Sequence, residues 1–368
     1  MRILQVCPHF YGGGIGGVVE YVKNISEGLV RNGHEVTVFS TDPRKNFPRY
    51  EIINGVTVER FKRLAPNRAY FFSMDMLIRL HKVDFDVVHA HCYTAFPLHF
   101  SVLTKRDKYV ISTHFGGGGL SAFRNSLVKL FKPLGKKTLE KADVIVAVSE
   151  YEKKLLCRQF KLNPNKILVI PCGVNLTELK NLKKQKRNFS SILHVSRLDS
   201  NKGVHYLIEV LPKLRKDVVL EIVGRGPMLN FLEKRAKNLG ISDRVRFYPS
   251  LPKKDILQKY LDADLFVLLS QYESYGLVVA EALAAGVPCI VTNSSALSEW
   301  IDDETVFGIS FPINLRDLAK LINNILDKNI DKRLFKKWIG TKILDWSEVV
   351  KRLEKVYQFK NDLDEFKF

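Results

Sequence analysis

Glu273 and Glu281 bracket the stretch ESYGLVVAE, two carboxylates eight positions apart with mostly apolar residues and one glycine between them. Glutamate is seldom buried without a partner. The segments RLDSNKG and VGRGP supply candidate partners: the cations Arg197, Lys202 and Arg225, and the glycines Gly224 and Gly226. Carboxylates near fixed cations and glycine turns suit a phosphate-bearing ligand.

The elements around these residues decide whether they can meet. DLFVLLS reads as a buried strand, and LVVAEALAAG as a helix ending at Gly286 with Pro288 just beyond. Ser274 is the expected N-cap. Glu273 then lies in the loop leaving the carboxyl end of a parallel strand, with Glu281 about two turns into the helix. Ligands of open α/β sheets bind outside such strand ends, and the amides of Tyr275, Gly276 and Leu277 face outward from the helix start. In the competing reading, Glu273 merely favours the helix dipole and Glu281 makes an exposed ion pair.

RLDSNKG follows the strand SILHVS and opens another helix, so Arg197 and Lys202 also sit at a strand's carboxyl end. A lysine there opposes the macrodipole at a cost of about 0.3 to 1 kcal/mol, and a bound polyanion reverses the sign. Gly224 and Gly226 permit close backbone approach, although a strand-to-helix turn needs no ligand. Together the three loops describe a phosphate-bearing ligand site.

Short β-branched runs alternate with helical stretches along most of the 368 residues, the pattern of parallel sheets with helical crossovers. Strands are expected at ILQVC, EVTVFS, VTVERF, DVVHAH, YVIST and VIVAVS, then at SILHVS, VLEIVG, VRFYP, LFVLLS and PCIVT. The segment VIPCGVNLTELKNLKKQKRNFS looks like a linker with a solvated basic lead-in. The expected domains are 1–170, 171–344 and a terminal helix in 345–368. That helix has an apolar stripe at Trp346, Val349, Val350, Leu353, Val356 and Tyr357, and a capping box from Asp345 and Glu348.

The C-terminal half resembles the retaining glycosyltransferases of family 4. RLDSNKG is similar to the family's R-x4-K-G element, GRGP to its G-x-G-P turn, and ESYGLVVAEALAAGVPCIVT to its E-x7-E signature with A-x-G-x-P following. The glycine loop GGGIGG, the segment VIPCGVNLTEL and the terminal helix also resemble family elements, so the likeness spans essentially the whole chain. It implies an α/β chain with the GT-B fold, two facing Rossmann-like domains with parallel sheets, and a metal-independent hexosyltransferase. No cofactor is implied beyond a nucleotide-diphosphate sugar, UDP- or GDP-linked, as donor substrate.

By the same resemblance Arg197 and Lys202 hold the donor diphosphate, and Glu281 accepts from the ribose hydroxyls. Glu273 faces the transferred sugar with the amides of Tyr275, Gly276 and Leu277, and Gly224, Arg225 and Gly226 belong to the donor site. His114, ending YVISTH, matches the family's active-site histidine. Gly14, Gly16 and Gly17 are close-approach positions of a loop between donor and acceptor. The chain departs from the family pattern at Ser295 and Ala296, where two glycines are usual, and at Pro249.

The rivals rest on single features. GGGIGG with Asp42 formally suits a nicotinamide-linked oxidoreductase, but PHFY separates the first strand from the glycines. The net charge of +19 would suit nucleic acid, yet no nucleic-acid module is recognisable and no such partner is expected. A GT-B sugar-nucleotide epimerase would share the architecture without using an acceptor. HAH, His89 and His91, has metal-ligand spacing but no completing carboxylates. The D-x-D of Asp262 and Asp264 lies at a strand's entry, opposite its ligand end.

Five scattered cysteines and an opening too short for a signal-peptide core point to a reducing cytoplasmic setting. The longest apolar stretch falls short of a membrane span. The basic, amphipathic stretch 123–143 is either an ordinary surface helix or a surface for an anionic membrane. The acceptor that the resemblance implies is a glycan, a lipid-linked or cell-envelope precursor, or a small molecule.

Overall fold

The computed structural model describes residues 1–11, 16–42, 47–64, 71–118 and 132–359. Gly14 and the first half of the basic stretch 123–143 lie outside the described residues. The chain divides into two compact units, Met1–Gly173 with the segment from Trp346 onward, and Val174–Asp345.

The first unit is built on eight strands: β1 (Arg2–Cys7), β2 (Glu35–Asp42), β3 (Tyr50–Ile53), β4 (Val56–Lys62), β5 (Asp84–His91), β6 (Lys105–Ser112), β7 (Val144–Ala147) and β8 (Ile167–Val169). Their order is β3-β4-β2-β1-β5-β6-β7-β8. Only the β3 to β4 pair is antiparallel, joined across Asn54-Gly55, both at positive φ. Strands β1 and β7 read as near-continuous apolar runs because helices cover parallel sheets on both faces. Tyr50 and Ile52 stay exposed on the β3 edge.

Trp346–Gln358 forms the final helix, and all six residues of the expected apolar stripe are buried. It packs on helix Gly17–Arg31, where a Cβ on Gly28 would stand 2.5 Å from Val350 Cγ2, so only glycine admits the contact. Glu354 Oε1 accepts from Asn32 at 3.0 Å and lies 2.9 Å from His34 Nε2. Burying the stripe contributes on the order of 10 kcal/mol before the entropy of ordering is subtracted. Glu348 pairs with Arg352 one turn further on.

The second unit is built on a six-stranded parallel sheet: β9 (Ser190–Val195), β10 (Val218–Val223), β11 (Val245–Tyr248), β12 (Leu265–Leu268), β13 (Cys289–Thr292) and β14 (Val306–Ile309). The order β11-β10-β9-β12-β13-β14 reverses between β9 and β12, the switch point of a doubly wound sheet.

The basic lead-in is not merely solvated, as its composition suggests. Arg187 is largely buried between two carboxylates, Glu221 at 2.5 Å and Asp262 at 2.9 Å. Glu221, with no solvent exposure on β10, also contacts Lys259 at 2.6 Å. A charge taken out of water needs such partners. The cations and hydrogen bonds outweigh burial and hold its carboxyl down at about 2.

Candidate active site

The chain leaves β9 through residues 196–203 and β12 through 269–276, on the two sides of the strand reversal. The Gln271 amide donates to Asn201 O at 2.9 Å and ties these loops together. Gly203, at φ +69, lets them touch, since a Cβ there would stand 2.3 Å from Leu269 O. Lys202 Nζ lies 2.5 Å from Glu273 Oε1, each side chain 19% exposed. The sequence-selected cation and carboxylate are therefore direct neighbours at the crevice of the sheet. Arg197 Nε is 2.6 Å from Asp199 Oδ2, and a guanidinium has further N–H donors for an anion.

Glu273 is fixed by its backbone. Its amide donates to Ser295 Oγ at 3.0 Å, and its carbonyl accepts from Ala296 N at 3.3 Å. Ser295 has φ +52, a left-handed conformation that glycine takes freely, and its hydroxyl adds a grip on the glutamate loop. Beneath the loops, fully buried His194 lies 2.8 Å from Val267 O and 2.7 Å from Ser196 Oγ. Burial pushes its pKa down to about 4.

The helix expected after Ser274 starts later. Gly276 is the N-cap at φ +95, and the helix runs Leu277–Ala284, because a left-handed residue has to turn the chain before helical geometry can begin. Glu281 is consequently about one turn in, not two. It is 5% exposed, with Oε1 2.6 Å from Lys253 Nζ and Oε2 accepting from Tyr260 at 2.9 Å. The exposed ion pair of the competing reading is thus not what forms. Tyr275 is buried: its hydroxyl donates to Lys342 O at 2.6 Å, and its carbonyl accepts from Trp300 at 2.7 Å. These bonds anchor the turn that presents Gly276 and Leu277.

Gly224 and Gly226 serve backbone packing. A Cβ on Gly224, at φ +138, would stand 1.8 Å from Ser196 O, and one on Gly226 2.3 Å from Leu198 O. Leu198 N donates to Arg225 O at 3.0 Å, so this turn buttresses the Arg197 loop while the Arg225 side chain is exposed.

In the first unit, His114 follows β6 at φ +48, and Cys92 follows β5 at φ +72. Non-glycine residues held left-handed are strained and concentrate at functional sites. Glu152 enforces the His114 geometry: its Oε1 accepts from Thr113 Oγ1 and Phe115 N, both at 2.5 Å, and its Oε2 from Val148 N at 2.8 Å. One buried carboxylate therefore grips both neighbours of the histidine, while burial pushes its own pKa up to about 7. His114 packs edge-on against Tyr21 at 4.9 Å, and burial pushes its pKa down to about 4. Gly16 caps helix Gly17–Arg31 at φ +153 with open space around both glycines.

His89 and His91 share a face, ring centroids 4.1 Å apart. Asp262 and Asp264 are taken by Arg187 and Lys184. Among the described residues no group of three or more His, Cys, Asp or Glu side chains is placed to hold a metal. Sequence reasoning missed Glu152, His194, Lys253 and Tyr260, none of which stands in a recognisable motif.

A doubly wound parallel sheet in each unit, with charged loops at the strand reversal of the second, defines the class: the GT-B fold of sugar-transferring enzymes. Residues 175–339 match the family model described as Glycosyl transferases group 1, and residues 15–178 the one described as Glycosyltransferase Family 4. An uncharacterized glycosyltransferase of Methanocaldococcus jannaschii is 31% identical, with 99% of each chain covered. The phosphatidylinositol N-acetylglucosaminyltransferase GPI3 subunit of Saccharomyces cerevisiae is 25% identical over 97% of this chain and 82% of its own. Sucrose-phosphate synthase of Thermosynechococcus elongatus has the same fold, with a TM-score of 0.76 at 21% identity over 97% of this chain and 98% of its own. Anabaena HepE, solved with UDP and glucose, gives 0.74 at 18% identity over 97% of this chain and 99% of its own. The chain belongs to the group 1, family 4 glycosyltransferases.

Proposed function

We propose that the chain transfers a hexose from a UDP- or GDP-linked sugar to an acceptor with retention of anomeric configuration and without a metal in the chemistry. The observation that carries this reading is the Lys202 to Glu273 contact at the strand reversal, with Arg197 on the same loop as Lys202. Breaking a glycosyl phosphate bond builds negative charge on the phosphates and positive charge at the anomeric carbon, and fixed opposite charges lower that barrier. Lys202 and Arg197 would receive the diphosphate, and Glu273 the sugar. Glu281 would take the ribose hydroxyls with the lone pairs that Lys253 and Tyr260 leave over. Gly276 and Leu277 would contribute amides there, and in the first unit His114, Gly16 and Gly17 would contact substrate.

A lipid-linked acceptor fits the net charge of +19 and the phosphatidylinositol named for the yeast relative. No described helix is long and apolar enough to cross a membrane, so surface association with anionic lipid is the proposed mode. The test is incubation with UDP- and GDP-sugars and a lipid extract, with product mass spectrometry and assignment of the anomeric configuration by NMR. Transfer with retention supports the reading. Acceptor-independent epimerisation, or inversion, overturns it.

A further inference from the structure

His114 ends a buried hydrogen-bond chain that reaches the last helix. Its Nε2 lies 3.4 Å from His91 Nδ1, and His91 Nε2 lies 2.7 Å from Gln5 Oε1. Gln5 Nε2 donates to the Tyr357 hydroxyl at 3.4 Å. That hydroxyl is 2.7 Å from His89 Nδ1, and His89 Nε2 is 2.8 Å from Ser112 Oγ. Gln5, His89 and His91 have no solvent exposure, and Tyr357 has 4%.

Counting protons along the chain fixes each ring. A neutral imidazole has one donor nitrogen and one acceptor. Gln5 turns its amide nitrogen to Tyr357, so its oxygen faces His91, and an oxygen only accepts. The His91 proton is therefore on Nε2, and Nδ1 holds a lone pair. A lone pair facing His114 Nε2 calls for a proton there, which leaves His114 Nδ1 bare. The His91 and His114 rings lie within 21° of parallel with centroids 5.7 Å apart, so an N–H and a lone pair can share a plane. Burial drives all three histidines toward the neutral form, as the count requires.

We propose that Gln5 and Tyr357, acting through His91, fix His114 as its Nε2–H tautomer and so leave Nδ1 as a hydrogen-bond acceptor for a sugar hydroxyl. Gln5, His91 and Tyr357 are positioning residues, and a helix from the far end of the sequence helps to set the polarity of the site. The acceptor role rests on the reading of His114 as a substrate-site residue, whereas the tautomer does not.

Long-range proton–nitrogen correlation spectra of the full chain, labelled with 15N-histidine, test the assignment at neutral pH without substrate. The expected result is protonated Nε2 on His91 and His114. Gln5→Leu should produce a mixture of tautomers at both rings, with kcat down roughly tenfold and the donor KM little changed. Should Gln5→Leu fail to fold, Tyr357→Phe frees the glutamine amide to turn over and should give the same mixture. A protonated Nδ1 on His114 in the wild type, or an unmixed spectrum in the folded variant, overturns the proposal. So does an Nδ1 resonance unmoved by a UDP- or GDP-sugar that the chain turns over. A chain with the assigned tautomer that transfers no sugar instead removes the transferase reading and leaves the tautomer standing.

Discussion

Lys202 and Glu273 face each other at 2.5 Å across the strand reversal of the second unit. A bound diphosphate would compete with this carboxylate for the cation. Lys202→Ala should weaken binding of UDP or GDP at least tenfold, since a hydrogen bond to a charged group is worth about 1.5 to 3 kcal/mol. Glu273→Gln should leave nucleotide binding intact or tighter while transfer falls roughly a hundredfold. Calorimetric titration beside a turnover assay separates the two, and equal losses in both assays for both variants would refute the division of roles.

Ser295 offers a test of how the Glu273 loop is held. Ser295→Gly relieves a left-handed conformation costing about 1 kcal/mol and loses a hydrogen bond of about the same size. Stability should therefore hardly move, while Glu273 loses its anchor and turnover falls. Ser295→Ala keeps the strain and loses the bond, so it should be about 1 kcal/mol less stable in urea melts. A glycine variant with unchanged turnover would show that the hydroxyl only fills space.

The strands that carry the site were legible because parallel strands buried on both faces write themselves as apolar runs, and each of the eleven expected strands has its counterpart. Of the three strands of the two large sheets that went unread, two, at Ile167–Val169 and Val306–Ile309, are short and lack a distinctive pattern. Tyr50–Ile53 was readable, since Asn54-Gly55 is a strong hairpin signal. Lys202 and Glu273 were chosen by their places after strands. Their contact was not legible, because it depends on the strand order that sets β9 beside β12. Gly224 and Gly226 were equally compatible with a ligand or with a bare turn, and the approach of Ser196 and Leu198 supplies a packing reason for both.

Gly224→Ala follows from that packing. The new methyl would fall on Ser196 O at a backbone angle alanine rarely adopts, so the Arg197 loop has to move. A loss of about 3 kcal/mol is expected, measured by chemical denaturation, with nucleotide binding weakened as the loop shifts. Arg225→Ala, on an exposed side chain of the same turn, should leave stability within about 0.5 kcal/mol. If Gly224→Ala were fully stable yet unable to bind nucleotide, the glycine would belong to the ligand rather than to the fold.

The buried histidines and Glu152 give stability a pH dependence whose sign can be worked out. His114 and His194 fall from 6.5 to about 4 on folding, so between those values the unfolded chain binds more protons, and stability is lost as pH drops through the window. Each contributes about 3 kcal/mol, and His89 and His91 shift in the same direction. Glu152 rises from 4.5 to about 7, so there the folded chain binds more protons and stability falls by a similar amount as pH rises. Together with His99 and His205, which also shift down, these histidines outweigh one glutamate. The urea midpoint should therefore climb from pH 4.5 to about 6.5 and then level off or dip slightly toward 7. His194→Gln, which cannot titrate, should flatten the climb by about 3 kcal/mol relative to its own value at pH 7. A midpoint that fell between pH 4.5 and 6.5 would mean that the carboxylate, not the imidazoles, governs acid stability.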